Sequence, residues 1–242
     1  MFCTKRSLLQ FTAVLVALAA NACAAPGARP AASAAAKMSC VGGVIRSSAD
    51  AELYSACERV NGDLSISGSE LTDLSAFSGL RSVSGTLEIA GNSELDDLSG
   101  LQQLAQVGSL VIRDNQELAS LRGLERVTRV ETLVLEDNGL YQTTGLSNLT
   151  EVGSLVIADN AKLNNLQGLR ALSRARSVEI RNNPRLCARG MLPSLTHIER
   201  EVTLSDNRGL SKRDVHQLLG RIAQNSAQPS TGSVARLEAS AR

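Results

Sequence analysis

Seven similar segments follow one another in this chain: GDLSISGS ending at Ser69, GTLEIAGN at Asn92, GSLVIRDN at Asn115, ETLVLEDN at Asn138, GSLVIADN at Asn160, RSVEIRNN at Asn183 and REVTLSDN at Asn207. Their intervals are 23, 23, 23, 22, 23 and 24 residues. A repeat of this period restricts the fold more than any composition does, because one unit cannot bury its apolar face alone and must stack on the next. Within each segment two apolar residues flank one other residue: Leu64/Ile66, Leu87/Ile89, Leu110/Ile112, Leu133/Leu135, Leu155/Ile157, Val178/Ile180 and Val202/Leu204. Period two predicts a short strand with one face buried. The Asn that follows three residues later is expected to point inward and stack, its amide satisfying backbone groups at a turn. Those positions are Asn92, Asn115, Asn138, Asn160, Asn183 and Asn207.

After each Asn, apolar residues return every third position, most clearly Leu118, Leu121, Leu124, Val127 and Val130. That spacing suits neither an α-helix nor a flat strand and predicts a tight coil feeding a narrow core. The 22-residue interval has lost a residue after Asn138, so Leu140 arrives early, and the 24-residue interval has gained one at Glu199-Arg200-Glu201. Length changes at turns are what a stacked solenoid tolerates. The expected fold is a mainly β solenoid, a right-handed parallel β-helix or leucine-rich-repeat-like stack of seven rungs over residues 39–210.

Leu two residues after the Asn would mark a leucine-rich repeat proper; here the spacing is mostly three. With the Gly-Ser-Leu-x-Ile strands, the string Asn183-Pro184-Arg185-Leu186-Cys187, and Cys40-Val-Gly-Gly ahead of Cys57-Glu-Arg-Val-Asn-Gly-Asp-Leu, the chain resembles the receptor L-domain family over roughly 40–210. The resemblance implies a disulfide-closed first end, and a Cys40–Cys57 bridge would supply it; two free thiols are the other reading. It also implies a binding domain that meets protein ligands with its sheet face. A helical stretch is expected around Ala49–Ala56. At the far end, Ser211 to Asp214 reads as a capping box opening a helical lid over 211–224, with Val215, Leu218, Leu219 and Ile222 on its apolar face. Residues 225–242 read as a loose tail, and Cys187 as a small buried hydrophobe.

Outward between the buried pairs lie Ser65, Glu88, Val111, Val134, Val156, Glu179 and Thr203. Three valines in consecutive rungs predict an apolar stripe, flanked at the next outward position by Arg113, Glu136, Ala158 and Arg181, and such a patch on a polar face can mark an interface. β-propensity alone would also place valine there. Asp114, Asp137, Asp159, Asn182 and Asp206 form a second column, readable as turn residues bonding their own backbone or as a carboxylate row for an enzyme. No Ser/His/Asp set, phosphate loop or zinc spacing is visible, and His197 and His216 read as structural. The expectation is a non-enzymatic monomer without cofactor or metal, contacting a protein or cell-surface ligand; a passive envelope spacer and a carbohydrate-active enzyme are the alternatives.

Composition narrows the partner. With no Trp, three Phe and two Tyr there is no aromatic platform for bases or sugars, and a formal charge of +1 leaves no footprint for duplex nucleic acid. Lys5 and Arg6 precede the apolar run Leu8 to Ala20, a secretory leader over 1–22 too short for a comfortable membrane span. Its exit, Ala20-Asn21-Ala22-Cys23, resembles the bacterial lipobox, although Ala20 stands where Leu is usual. The resemblance implies an acylated Cys23, a lipid anchor as the membrane contact and, with Ala24 following, an outer-membrane lipoprotein. Ordinary cleavage after Ala22 would leave a secreted or periplasmic chain. Residues 23–38 are Ala/Pro-rich and read as a tether.

Overall fold

The structure, a computed structural model, describes residues 38–68, 71–188 and 191–225, the last three of these without their side chains. The expected leader, Cys23, residues 24–37 of the tether, Ser69 and residues 226–242 lie outside the described residues.

The repeat forms a parallel β-solenoid of about seven turns. Its strands are β1 (Ser39–Ile45), β2 (Arg59–Ser67), β3 (Ser82–Ala90), β4 (Gln106–Arg113), β5 (Arg129–Glu136), β6 (Glu151–Ala158), β7 (Arg174–Arg181), β8 (His197–Ile198) and β9 (Val202–Ser205), all paired in parallel with β1 to β8 in chain order and β9 also on β7. The register is the one the repeat demands: Leu64, Leu87, Leu110, Leu133, Leu155, Val178 and Val202 stand in one row. All seven are buried, as are the residues two positions on; the period-three residues Leu118, Leu121, Leu124 and Val127 fill the coil side of the same core, and Val130, the next in the series, is already in β5.

Both length changes have local consequences. In the shortened rung the turn after Asn138 closes differently: the Gly139 N–H donates to Asn115 O at 2.9 Å, in the rung before. A Cβ at Gly139 would stand 2.1 Å from Gln116 O, so only glycine fits the tightened turn. In the lengthened rung, Glu199 to Glu201 split the last strand into β8 and β9.

The asparagines form the interior ladder. Asn115 Nδ2 donates to Ile89 O (3.0 Å), Arg113 O (2.8 Å) and Asn138 Oδ1 (3.1 Å), and its Oδ1 accepts the Asn92 backbone N–H at 2.9 Å. The same bonds carry the column through Asn138, Asn160, Asn183 and Asn207, all buried. Buried amides persist here because each is saturated. The adjoining column has a different cause from the local backbone bonding expected of it. Asp114, Asp137, Asp159, Asn182 and Asp206 have φ of 59°, 49°, 60°, 49° and 54°. This left-handed conformation is one that Asp and Asn tolerate better than bulkier residues, and it turns the chain out of each strand.

Both ends are closed. Cys40 and Cys57 form a disulfide with Cα atoms 5.9 Å apart across 17 residues, a closure that stabilises by about 3 kcal/mol through the unfolded chain. Cys40 lies in β1, a strand absent from the repeat count. Between the cysteines α1 (Ser48–Glu52) is shorter than the expected 49–56, and beyond it the chain continues as turns. Its N-cap is Ser47, whose Oγ accepts the Asp50 N–H. At the other end, α2 (Lys212–Asn225) starts from a reciprocal pair: Ser211 Oγ donates to Asp214 and accepts the Asp214 N–H. Val215, Leu218 and Ile222 are buried beneath it. No helix of the described residues is long and apolar enough to cross a membrane. Cys187 corrects the sequence reading: Leu186 takes the buried position, and the neighbouring thiol is exposed and donates to Asn164 O at 3.0 Å.

Candidate binding face

Strand alternation turns every second residue of β2 to β7 away from the core. The central outward row runs in register through Ser65, Glu88, Val111, Val134, Val156, Glu179 and Thr203. The three valines are half-buried, whereas Leu133 and Leu135 on either side of Val134 are fully buried. At the N-terminal edge Val44 of β1 joins the row beside Ser65.

Two further rows border the valines. Toward the strand starts lie Thr86, Ser109, Thr132, Ser154 and Ser177, a file of half-buried hydroxyls in register, with Ser177 Oγ donating to Ser154 Oγ at 3.2 Å. Sequence reasoning missed this file, although Ser/Thr two residues before the outward Val or Glu recurs in each segment from the second to the sixth.

Toward the strand ends stand Ala90, Arg113, Glu136, Ala158 and Arg181. Their charges are tied to each other. Arg113 binds Glu88 at 2.9 Å and Asp114 at 3.2 Å. Arg181 binds Glu136 (2.6 Å), Asp159 (2.5 Å) and Glu179 (3.1 Å). The Arg181–Glu136 pair joins β7 to β5 and so passes over the intervening β6, where Ala158 is completely buried. Ala158 is therefore the floor under an ion pair and no part of an exposed flank. At the other end of the same strands Arg176 reaches Glu131 at 2.7 Å across Gly153, where a Cβ would lie 2.4 Å from Glu131 O.

These pairings set the titration of the face. Hydrogen bonds from Arg113, then Ser65, hold the Glu88 carboxyl below the ordinary carboxylate value. Glu88 in turn raises the Arg113 guanidinium. For Arg181, burial pulls the pKa down but is outweighed by Asp159 and Glu136, and it stays above the usual arginine value. Exposed pairs of this kind are worth less than about 1 kcal/mol each. Their larger effect is to fix side chains around the valine row, leaving an apolar lane bordered by hydroxyls and closed at both ends of β6 by ion pairs. Such a surface can bury apolar contact area and offer hydroxyl hydrogen bonds. Among the described residues no group of three or more His, Cys, Asp or Glu is arranged to hold a metal ion. His197 and His216 are exposed, engaged with Thr196 Oγ1 and Lys212 O.

Fold and face together define a parallel β-solenoid with disulfide-closed and helix-closed ends and one patterned sheet surface. The receptor L domain family model matches residues 56–152, from the N-terminal cap to the start of β6, a span that includes Val111 and Val134. Comparison with curated proteins and with solved structures gave no match.

Proposed function

We propose that this chain is a non-enzymatic recognition module of the cell envelope, held by an acylated Cys23, whose outward sheet face contacts a protein or cell-surface ligand. The observation that carries the reading is the valine row: three apolar side chains in register, half-exposed, where strands β2 to β7 hold their other apolar residues inside. A valine row kept outward forgoes burial that its neighbours obtain, and contact with a partner would recover it. The match to a family of ligand-binding domains supports binding, and the leader-like first 23 residues support the address. The Asp column supports no enzyme, since each of its members has a conformational reason to be there. The test is a photo-cross-linking residue at position 134 in producing cells. A discrete adduct that vanishes when the probe is moved to the exposed coil residue Gln102 supports the reading; the absence of any adduct overturns it.

A further inference from the structure

The near-zero net charge conceals a strong polarity along the solenoid axis. Residues 38–100 contain ten acidic and three basic side chains, whereas residues 160–225 contain five acidic and twelve basic. Between them, residues 101–159 hold eight and four. One structural position shows the change directly. Two residues after the ladder Asn stand Glu94 and Glu117 in the early rungs, then Lys162 and Arg185 in the late ones. The turn geometry there is shared, so local propensity does not choose the sign.

The two ends also differ in apolar exposure. Among the described residues five large apolar side chains are exposed, and four of them, Met38, Val41, Val44 and Leu53, belong to the N-terminal cap. The same cap carries Asp50, Glu52, Glu58 and Asp63. At the C-terminal end Arg200, Arg208, Lys212 and Arg213 are exposed, and none of the four forms a salt bridge among the described residues.

We propose that the two ends dock head to tail, the acidic, apolar N-terminal cap of one copy receiving the basic C-terminal end of the next. The chemistry matches on both counts. Lys and Arg stems can lie over exposed valine and leucine while their charged heads reach carboxylates at the rim. Two like ends repel, so the contact is heterologous; unless its rotation closes into a ring, it propagates as a linear series. A polyanion would satisfy only the basic end and would leave the exposed apolar side chains of the acidic end uncovered. A second copy covers both. The proposal departs from the monomer expected of the sequence, and of the residues named for it only Val44 also belongs to the outward sheet row.

Sedimentation velocity on the full chain, as isolated, tests it. At about 0.01 M salt, where screening extends to roughly 30 Å, the chain should form a concentration-dependent series of species, and at about 1 M salt it should return to the monomer. Glu52→Lys with Leu53→Lys blocks one end; Arg208→Gln, Lys212→Gln and Arg213→Gln, which remove charge without reversing it, block the other. Each blocked variant alone should remain monomeric with an unchanged thermal melt. Mixed in equal amounts they should form a dimer and nothing larger, because only one competent junction is left. A wild-type chain that stays monomeric at both salts overturns the proposal. So does association by either blocked variant alone, which would place the contact elsewhere, or a mixture that fails to pair. If the basic end instead serves a polyanion, the wild type stays monomeric at low salt and shifts on adding heparin.

Discussion

Leu133 and Val134 are adjacent in β5, are both aliphatic, and recur with the same period, yet the two sides of the strand that they occupy obey different rules. Inside, the rungs repeat the same requirement, an apolar pair in all seven and a saturated Asn amide in six, so they carry nearly identical residues. Outside, hydroxyls, valines and paired charges change from rung to rung without disturbing the register. Identity on the inner side is dictated by packing and by the cost of an unsatisfied polar group. The outer side is released from both constraints, so what is specific to this chain is written there.

Four substitutions or conditions probe the contrast. Leu133→Ala should have the largest effect, a loss of about 4 kcal/mol in chemical denaturation, because the side chain is fully buried at the centre of the stack. Asn115→Leu comes next, at about 3 kcal/mol: it removes the amide's bonds to Ile89 O and the Asn92 N–H inside the core and leaves Arg113 O with the Gly91 N–H alone. A neutral result there would mean the ladder is not what holds the turns. Thr143 sharpens the rule from the opposite side. It is fully buried where neighbouring rungs place Leu121 and Leu166, and its Oγ1 has no hydrogen-bond partner among the described residues. Thr143→Val should therefore raise the melting temperature, by about 1 kcal/mol of added stability; a lowered one would show the hydroxyl is in use. Smallest is the acid response of the outer charges. The folded pKa of Glu88 lies below its unfolded value, so its contribution is complete above the unfolded pKa of about 4.3 and is lost as pH falls through the lower folded value. Comparing Glu88→Gln with wild type should show a difference below about 1 kcal/mol at pH 7 that disappears in acid. A difference that grew on acidification would contradict the pairing with Arg113.

How far the sequence exposed this arrangement depended on sequence distance. Strand alternation and the Asn positions were legible because both lie within one repeat. The capping pair Ser211 and Asp214 was legible for the same reason, being three residues apart. The pairs Glu131–Arg176 and Glu136–Arg181 span 45 residues and skip a rung, so no pattern of nearest repeats points to them, and the burial of Ala158 beneath one of them was unforeseen. Strand β1 was missed because Gly42 and Gly43 break its alternation. A second hydroxyl file was also missed. Thr150 Oγ1 and Ser173 Oγ each donate to the carbonyl one rung back, Thr128 O and Thr150 O, stitching the corner ahead of the strands. The left-handed conformation of the Asp column was hidden as well, since Asp serves several kinds of turn and its backbone angle is not written in its spacing.

The central claim, that the outer valines serve contact and not stability, is tested most directly by Val134→Asp, with thermal unfolding and in-cell cross-linking measured on the same variant. Val134 is half-exposed between two fully buried leucines, so a polar residue there should change stability by no more than about 0.5 kcal/mol. The new carboxylate lies in the middle of the valine row, in the strand that also carries Glu136, and should repel an apolar partner surface. The expected result is an unchanged melt together with loss of the adduct seen from a probe at the neighbouring Val156. An unfolded variant would show that the face is covered within the fold, and a folded variant that still gave the adduct would show that the valine row is not where the partner binds.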